Sequence, residues 1–198
     1  VTCDDVTGAC VAAGPPVAGE AWISEVLVDA PTVGETSEVG EYVEVFNRSR
    51  RVLNLKGCHL VSHTGASGTE ASAGFPDDIP VHPLGVAVLR RSTTLPFTFD
   101  FPAATYGTVT FSNSAADYVL LRCGGLDVDA VGWRGHAAYP NLPSVPADTA
   151  WERGMAGLRA GTPTATATWC QGVTVRTTVG ATGTGTFRGS PGAANACP

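Results

Sequence analysis

Lysine is nearly missing from this chain: of twelve basic residues, eleven are arginine and one, Lys56, is lysine. The arginines stand singly or in the pairs Arg50-Arg51 and Arg90-Arg91, against a formal net charge of −6. No nucleic acid and no anionic membrane surface is expected as a partner, because both require a clustered basic face. Long apolar runs are missing too. No stretch approaches the roughly 20 residues that span a bilayer, so no membrane span is expected. No helical periodicity of useful length and no heptad repeat occurs, which excludes a filament-forming coiled coil. No leader-like segment stands ahead of Val1, which reads as a mature end or an excised fragment.

What is present points to an all-β chain. Its 198 residues are 43% hydrophobic and 15% charged, with 24 Gly and 14 Pro, so short apolar runs alternate with frequent turns. The arginine bias, together with abundant Ala, Gly and Pro, fits a GC-rich, bacterial coding sequence. Six cysteines, Cys3, Cys10, Cys58, Cys123, Cys170 and Cys197, include no C-x-x-C pair of the kind zinc sites and redox dithiols use. Three disulfides are the economical reading. Cys3 and Cys10 flank a short turn-like loop, Cys170 and Cys197 bracket the tail, and Cys58 is left with Cys123, each inside a strand-like run. Oxidised pairs imply a secreted, extracellular or cell-surface location.

Along the chain, residues 1–20 read as a Cys loop, an arm and a Gly/Pro linker, and residues 21–198 as one sandwich domain with a Thr/Gly-rich C-terminal segment. The first strand is Trp22 to Asp29, with Ile23 and Leu27 on one face and Trp22, Val26 and Val28 on the other. Glu41 to Asn47 alternates, Tyr42, Glu44 and Phe46 opposite Val43 and Val45. The turn Asn47-Arg48-Ser49-Arg50 then predicts a hairpin to a returning strand, Val52 to Val61, bent at Gly57. Ser62 to Pro83 reads as a long surface loop. Short strands follow at Gly85 to Leu89 and Phe97 to Phe101, then a hairpin, Ala116 to Cys123 and Asp127 to Trp133, across Gly124-Gly125. Gly135 to Pro146 is irregular, and Ala160 to Pro198 supplies edge strands.

Three early segments in this order, Trp-Ile-Ser-Glu-Val-Leu-Val-Asp (22–29), Gly-Glu-Tyr-Val-Glu-Val-Phe-Asn (40–47) and Val-Leu-Asn-Leu-Lys-Gly-Cys-His-Leu (52–60), resemble the opening of a bacterial lamin-tail domain. Asp117-Tyr118-Val119-Leu120-Leu121 is similar to a later core strand of that family, Ala150-Trp151-Glu152-Arg153 to its tryptophan turn, and Ser190-Pro191-Gly192-Ala193-Ala194-Asn195 to its close. The resemblance covers roughly Trp22 to Asn195. It implies an immunoglobulin-like β-sandwich, often an exported surface module, with no shared catalytic residues. One departure is Gly57-Cys58 where the family commonly has Gly followed by an aromatic ring. The ending Asn195-Ala196-Cys197-Pro198 is not a prenylation box, and no nuclear-lamina role is expected.

The residues that carry chemistry elsewhere have plainer readings here. His59 and His63 share strand parity, but their Cα atoms are about 13 Å apart on an extended chain, too far for one ion. His82 and His136 have no imidazole or thiol near them in sequence. Ser67, in Gly65-Ala66-Ser67-Gly68 close to His63, lacks the strand-turn-helix setting of a nucleophile elbow. Glu41 and Glu44 fall on opposite faces of one strand and cannot pair as acid and base. Glu44 and Glu25 can meet across neighbouring strands, although donors around the Asn47 turn are the simpler partners for Glu44. Asp77, Asp78, Asp4 and Asp5 are weak calcium candidates without a spaced ligand ladder. Asn47-Arg48-Ser49 is a formal glycosylation sequon, and the Thr-rich tail is a compositional candidate for O-linked sugar.

No nucleophile, base and orienter can be proposed together, so no enzyme and no cofactor is expected. The primary expectation is a non-enzymatic structural or adhesive surface module with protein partners. A sharper version has the arm, with Val11 and Val17, adding a strand to another copy's sheet. The alternative is an accessory domain binding glycan or calcium through Ser62 to Pro83 and Gly135 to Pro146, with Tyr139 exposed and Trp151 in a packing role.

Overall fold

The computed structural model describes residues 2–3, 10–11, 13–31, 40–63, 69–91, 103–107, 109–139, 141–154, 169–180, 183–195 and 197, of which 2–3, 10–11, 63, 141, 178–180 and 183–184 are described by backbone alone. The strands, in chain order, are β1 (Thr2–Cys3), β2 (Cys10–Val11), β3 (Ala21–Leu27), β4 (Tyr42–Asn47), β5 (Leu53–Asn54), β6 (Cys58–His63), β7 (Glu70–Gly74), β8 (Pro80–Val81) and β9 (Val86–Arg90). They continue with β10 (Ala103–Thr105), β11 (Asp117–Cys123), β12 (Leu126–Trp133), β13 (Asn141–Leu142), β14 (Trp151–Arg153), β15 (Trp169–Gln171), β16 (Val175–Gly180) and β17 (Gly183–Arg188). No α-helix occurs among the described residues. No helix there is long and apolar enough to cross a membrane.

Two sheets form a β-sandwich: six strands in the order β10-β9-β4-β3-β14-β15, and five in the order β13-β12-β11-β6-β7. Between them lies one core, to which Ile23, Val43, Val45 and Leu89 contribute from the first sheet and Leu60, Val119, Leu121, Val131 and Trp133 from the second. Burying such side chains supplies the main favourable free energy, on the order of 2 kcal/mol each. A small ribbon, β5 with β8, adds Leu53 and Val81 to the same core.

The hairpin across Gly124-Gly125 forms with Cys123 opposite Leu126, and both glycines have positive φ, 57° and 79°. A two-residue turn of that hand matches strand twist and suits glycine. The hairpin expected after Asn47 does not form. β4 pairs with β3 and β9, whereas β6 pairs with β11 and β7 in the other sheet. The Asn47 turn is therefore an arch between layers, and the bend at Gly57, whose φ is 75°, separates β5 from β6. The segment read as a surface loop from Ser62 to Pro83 also differs, since it holds β7 and β8 and buries Phe75, Ile79 and Val81. Its small side chains pair along β6, where Gly74 leaves room for the ring of His59. The expected strand Phe97 to Phe101 lies outside the described residues.

Disulfides join Cys58 to Cys123, register partners on β6 and β11, and Cys170 to Cys197, which ties the C-terminal segment to β15. Such bonds belong to non-reducing surroundings. Cys3 and Cys10 oppose each other in the β1–β2 ribbon, and their sulfurs lie outside the described atoms. The linker packs on its own domain. Asn54 N–H donates to Gly14 O at 2.8 Å, Arg51 Nη2 donates to Pro15 O at 2.8 Å, and Arg51 pairs with Glu20.

Asn47 is fully buried, and its amide nitrogen donates to Arg51 O and Val81 O, each at 2.8 Å. That nitrogen is unavailable for N-linked sugar, so the sequon is structural. Replacing Asn47 by Ala strands two buried carbonyls and should cost roughly 2–4 kcal/mol. Guanidinium unfolding of the oxidised chain measures this, and a loss below about 0.5 kcal/mol would contradict the role.

Candidate functional site

The strongest concentration of ionisable groups lies on the outer face of the six-stranded sheet. Strand β3 carries a bulge: Ile23 pairs with Val45 and Glu25 with Glu44, leaving Ser24 as the extra residue. Strict alternation from Ile23 would put Glu25 on the core face. The bulge turns it outward instead and brings Val26 and Val28 into the core beside Ile23, while Leu27 joins Tyr42 and Phe187 on the outside. The face assignment expected for Trp22 to Asp29 is thus corrected, because an inserted residue reverses parity beyond it.

Glu44, Glu25 and Glu152 consequently stand in register across β4, β3 and β14. Their exposures are 1%, 0% and 0%. The C-terminal segment covers them. Ser190 N–H donates to Glu25 Oε1 at 2.8 Å, and Tyr42 Oη–H donates to the same oxygen at 2.5 Å. Glu44 accepts from Ser24 Oγ and from Gly192 N–H, both at 2.6 Å, in place of the Asn47-turn donors expected for it. Asn195 Nδ2 donates to Ser24 O at 2.8 Å and to Arg153 O at 3.0 Å. Gly189 is required where it stands: a Cβ there would lie 2.5 Å from both Glu25 Oε1 and Tyr42 Oη.

Burial and the neighbouring Glu44 push the Glu25 carboxyl well above the ordinary carboxylate range. Burial raises Glu44 to about 7, and burial together with Glu25 raises the Tyr42 phenol. Carboxyls crowded away from water favour the protonated form. Chemically the arrangement is a clamp: with Gly189 and Ser190 against Glu25, a substrate reaches these acids only if the C-terminal segment leaves. Glu41 sits apart, just ahead of β4, paired with Arg91 at 3.2 Å.

A second polar connection spans the layers. Asp129, on β12, accepts from Ile23 N–H at 2.8 Å and from Arg153 Nη1 at 3.0 Å. Arg153 in turn lies over the rings of Trp22 and Trp169, at 5.4 and 4.8 Å. Asp129 was not singled out in the sequence; Arg153 appeared there only within the tryptophan-turn motif. The usable signal for Asp129 is an acid that shares strand parity with Val131 and Trp133, both in the core.

The outer face of the five-stranded sheet carries rings. Tyr118, His136 and Tyr139 form a cluster with centroid separations of 4.8, 4.7 and 5.5 Å, the last two rings nearly parallel at 12°. Glu70 meets Tyr118 Oη at 3.2 Å, and Arg122 bridges Glu70 and Asp127. Residues from the two expected loops therefore share one surface, and Tyr139 is half-buried in it. Trp151 is buried, its Nε1 donating to Ser144 O at 2.9 Å.

Neither the protein-family models nor the curated proteins contain a match to this chain. The lamin-tail resemblance accordingly rests on the motifs quoted above.

Among the other sequence candidates, Asp77 and Asp78 are exposed, with Asp78 held by Asn54 at 2.8 Å and by Lys56 at 3.6 Å. Asp4, Asp5 and Ser67, and the side chain of His63, lie outside the described residues. His82 is exposed and His59 rests against Gly74. Among the described residues, the potential metal-ligand groups that lie within 4.8 Å of one another are Glu152, Cys170 and Cys197. The two sulfurs are bonded to each other, so neither is a thiolate ligand.

The raised carboxyls fix the direction of a pH effect. A group whose folded value lies above its ordinary value contributes fully below the latter and loses that contribution as the pH rises through the folded value. For Glu44 this window runs from 4.5 to about 7 and corresponds to roughly 3 kcal/mol. Asp129 shifts in the same direction through burial, whereas Glu20, lowered by its hydrogen bond to Arg51, acts below that window. Melting temperature should therefore fall between pH 5 and pH 8, and Glu44→Gln should flatten the profile. A profile that rises over this range in the parent chain would refute the clamp's protonation.

Proposed function

We propose that this chain is an exported, non-enzymatic structural or adhesive module of the lamin-tail type, working outside the bacterial cell or on its surface. The observation that carries the reading is the fate of the acids. Glu25, Glu44 and Glu152, the groups best suited to acid/base work, are fully buried, and the carboxyls of Glu25 and Glu44 hold the C-terminal segment in place. Two disulfides and an inter-sheet ion pair add to the same end, a rigid body. Partners on this reading are proteins, including other copies of the chain.

The finer part, strand donation by the arm, falls to the residues ahead of Gly14. From Gly14 to Glu20 the backbone is held by Asn54 and Arg51, and Val17 sits in a turn closed by the Glu20 N–H to Val17 O bond at 3.0 Å. A second reading, glycan recognition, is favoured by the cluster of Tyr118, His136 and Tyr139 with carboxylates at its rim, since sugars stack on aromatic faces and bond to acids.

Light scattering and negative-stain microscopy of the full chain test assembly. Oligomers that revert to monomers when residues 1–12 are removed are the expected result. A monomeric full chain, or assemblies unchanged by the deletion, would reject arm donation. For the second reading, calorimetry against a glycan panel and calcium should show sugar binding weakened at least fivefold by Tyr139→Ala, about 1 kcal/mol. Silence across the panel would retire it.

A further inference from the structure

At the β10 edge of the six-stranded sheet, a cleft of about 450 Å³ opens between that strand and the connection from β7 to β8. Phe75, Ile79 and Ala104 give it an apolar lining, and Asp77, Asp78 and Arg90 add charge, Asp78 being engaged by Asn54 and Lys56. Arg90 is the unusual member. Its Nε is buried without a hydrogen-bond partner, and its guanidinium pairs with no carboxylate among the described residues. Of the other described arginines that are at least half-buried, Arg51, Arg91, Arg122 and Arg153 have acidic partners and Arg48 lies over the Trp22 ring, whereas Arg50, Arg134, Arg176 and Arg188 are exposed. In a chain of net charge −6, an arginine beside a cleft with no carboxylate partner among the described residues is suited to an external anion.

We propose that this cleft binds the carboxylate end of an extended peptide. A guanidinium presents a planar fork that matches a carboxylate, and charge-assisted bonds of this kind are the strong ones. The apolar lining accommodates a last side chain of aliphatic size, and the volume lies within the range of about 300–1,000 Å³ usual for small-ligand sites. Among the described residues β10 bonds to β9 alone, and its other side is where the peptide links preceding the carboxylate would pair. Terminal-carboxylate capture and edge-strand addition are both established modes of peptide recognition. Asp77, exposed at the cleft, disfavours doubly charged anions such as phosphate, whereas Asp78 is already engaged by Asn54 and Lys56.

The oxidised full chain, labelled with ¹⁵N, is titrated with N-acetyl-alanyl-leucine and separately with its C-terminal amide. The acid is expected to shift the amide signals of Phe75 to Ile79 and Ala103 to Thr105 and to bind about tenfold more tightly than the amide. Arg90→Gln should reduce acid binding to the level of the amide, with Arg90→Lys intermediate and Asp77→Asn equal to or tighter than the parent. Equal binding of acid and amide to the parent chain, shifts confined to other surfaces, no binding up to about 10 mM, or tighter binding of inorganic phosphate would each overturn the proposal. The acid-versus-amide comparison needs no variant and holds if Arg90→Gln fails to fold.

Discussion

One inserted residue in β3 governs how the layers and the C-terminal segment are joined. Because Ser24 is extra, Ile23 and Glu25 occupy opposite faces, although an uninterrupted strand would place them together. Ile23 keeps its side chain in the core while its N–H goes to Asp129, which reaches over from the opposite sheet. Ser24 offers its hydroxyl to Glu44 and its carbonyl to Asn195. Glu25, now outward, receives Tyr42 and Ser190. A bulge bends a strand and leaves backbone groups outside the ladder, and here side chains take up those groups. Removing the insertion would reverse every face from Ile23 toward Ala21, or else from Glu25 toward Leu27, and neither alternative keeps both Ile23 and Val26 inside.

The two buried polar groupings meet the cost of burial in different ways. Asp129 faces a guanidinium and a backbone donor, so its charge is matched within the interior, where removing one partner of such a pair is more disruptive than the pair itself is stabilising. Glu25 and Glu44 instead meet hydroxyl and backbone donors, and each lies near other acids. There the proton, not a counter-ion, relieves the crowding, which is why burial drives both upward. Lower pH thus tightens the contact between the C-terminal segment and the sheet. The Cys170–Cys197 bond keeps that segment close when the carboxyls ionise, so the contact can re-form without a search through unfolded states.

Much of the strand content was legible because alternation and turn chemistry act locally. Tyr42, Glu44 and Phe46 opposite Val43 and Val45 identify β4, and Gly124-Gly125 identifies the turn between β11 and β12. Pairing was less legible. The Asn47 turn has the composition of a hairpin, yet its decisive bonds run from the Asn47 amide to Arg51 O and to Val81 O, the latter 34 residues away. The segment around β7 was concealed by its Glu-Ala-Ser-Ala-Gly composition, which is poor in strand formers and is extended only because β6 lies beside it. Within the site, Glu25 and Glu44 were recognisable as potential neighbours. Their cover was not, because Ser190 and Gly192 are separated from them by more than 140 residues and are recruited through backbone N–H groups that every residue possesses.

Sealing one face of a sandwich with its own C-terminal segment limits where partners can attach. On the six-stranded sheet, Tyr42, Leu27 and Val88 pack with Phe187 rather than with solvent, and among the described residues its edge strands are β10 and β15. On the outer face of the five-stranded sheet, the described residues packed over Val61, Tyr118 and Leu120 are Ala130, Tyr139 and, against the Tyr118 ring, His136. An edge and a ring-bearing face differ in what they can recognise. An edge offers backbone groups and reads extension before sequence, whereas stacked rings with flanking acids read flat or hydroxylated surfaces. Buried acids and sulfur bonds hold both surfaces on one frame, and that is what the proposed presentation role would ask of the fold.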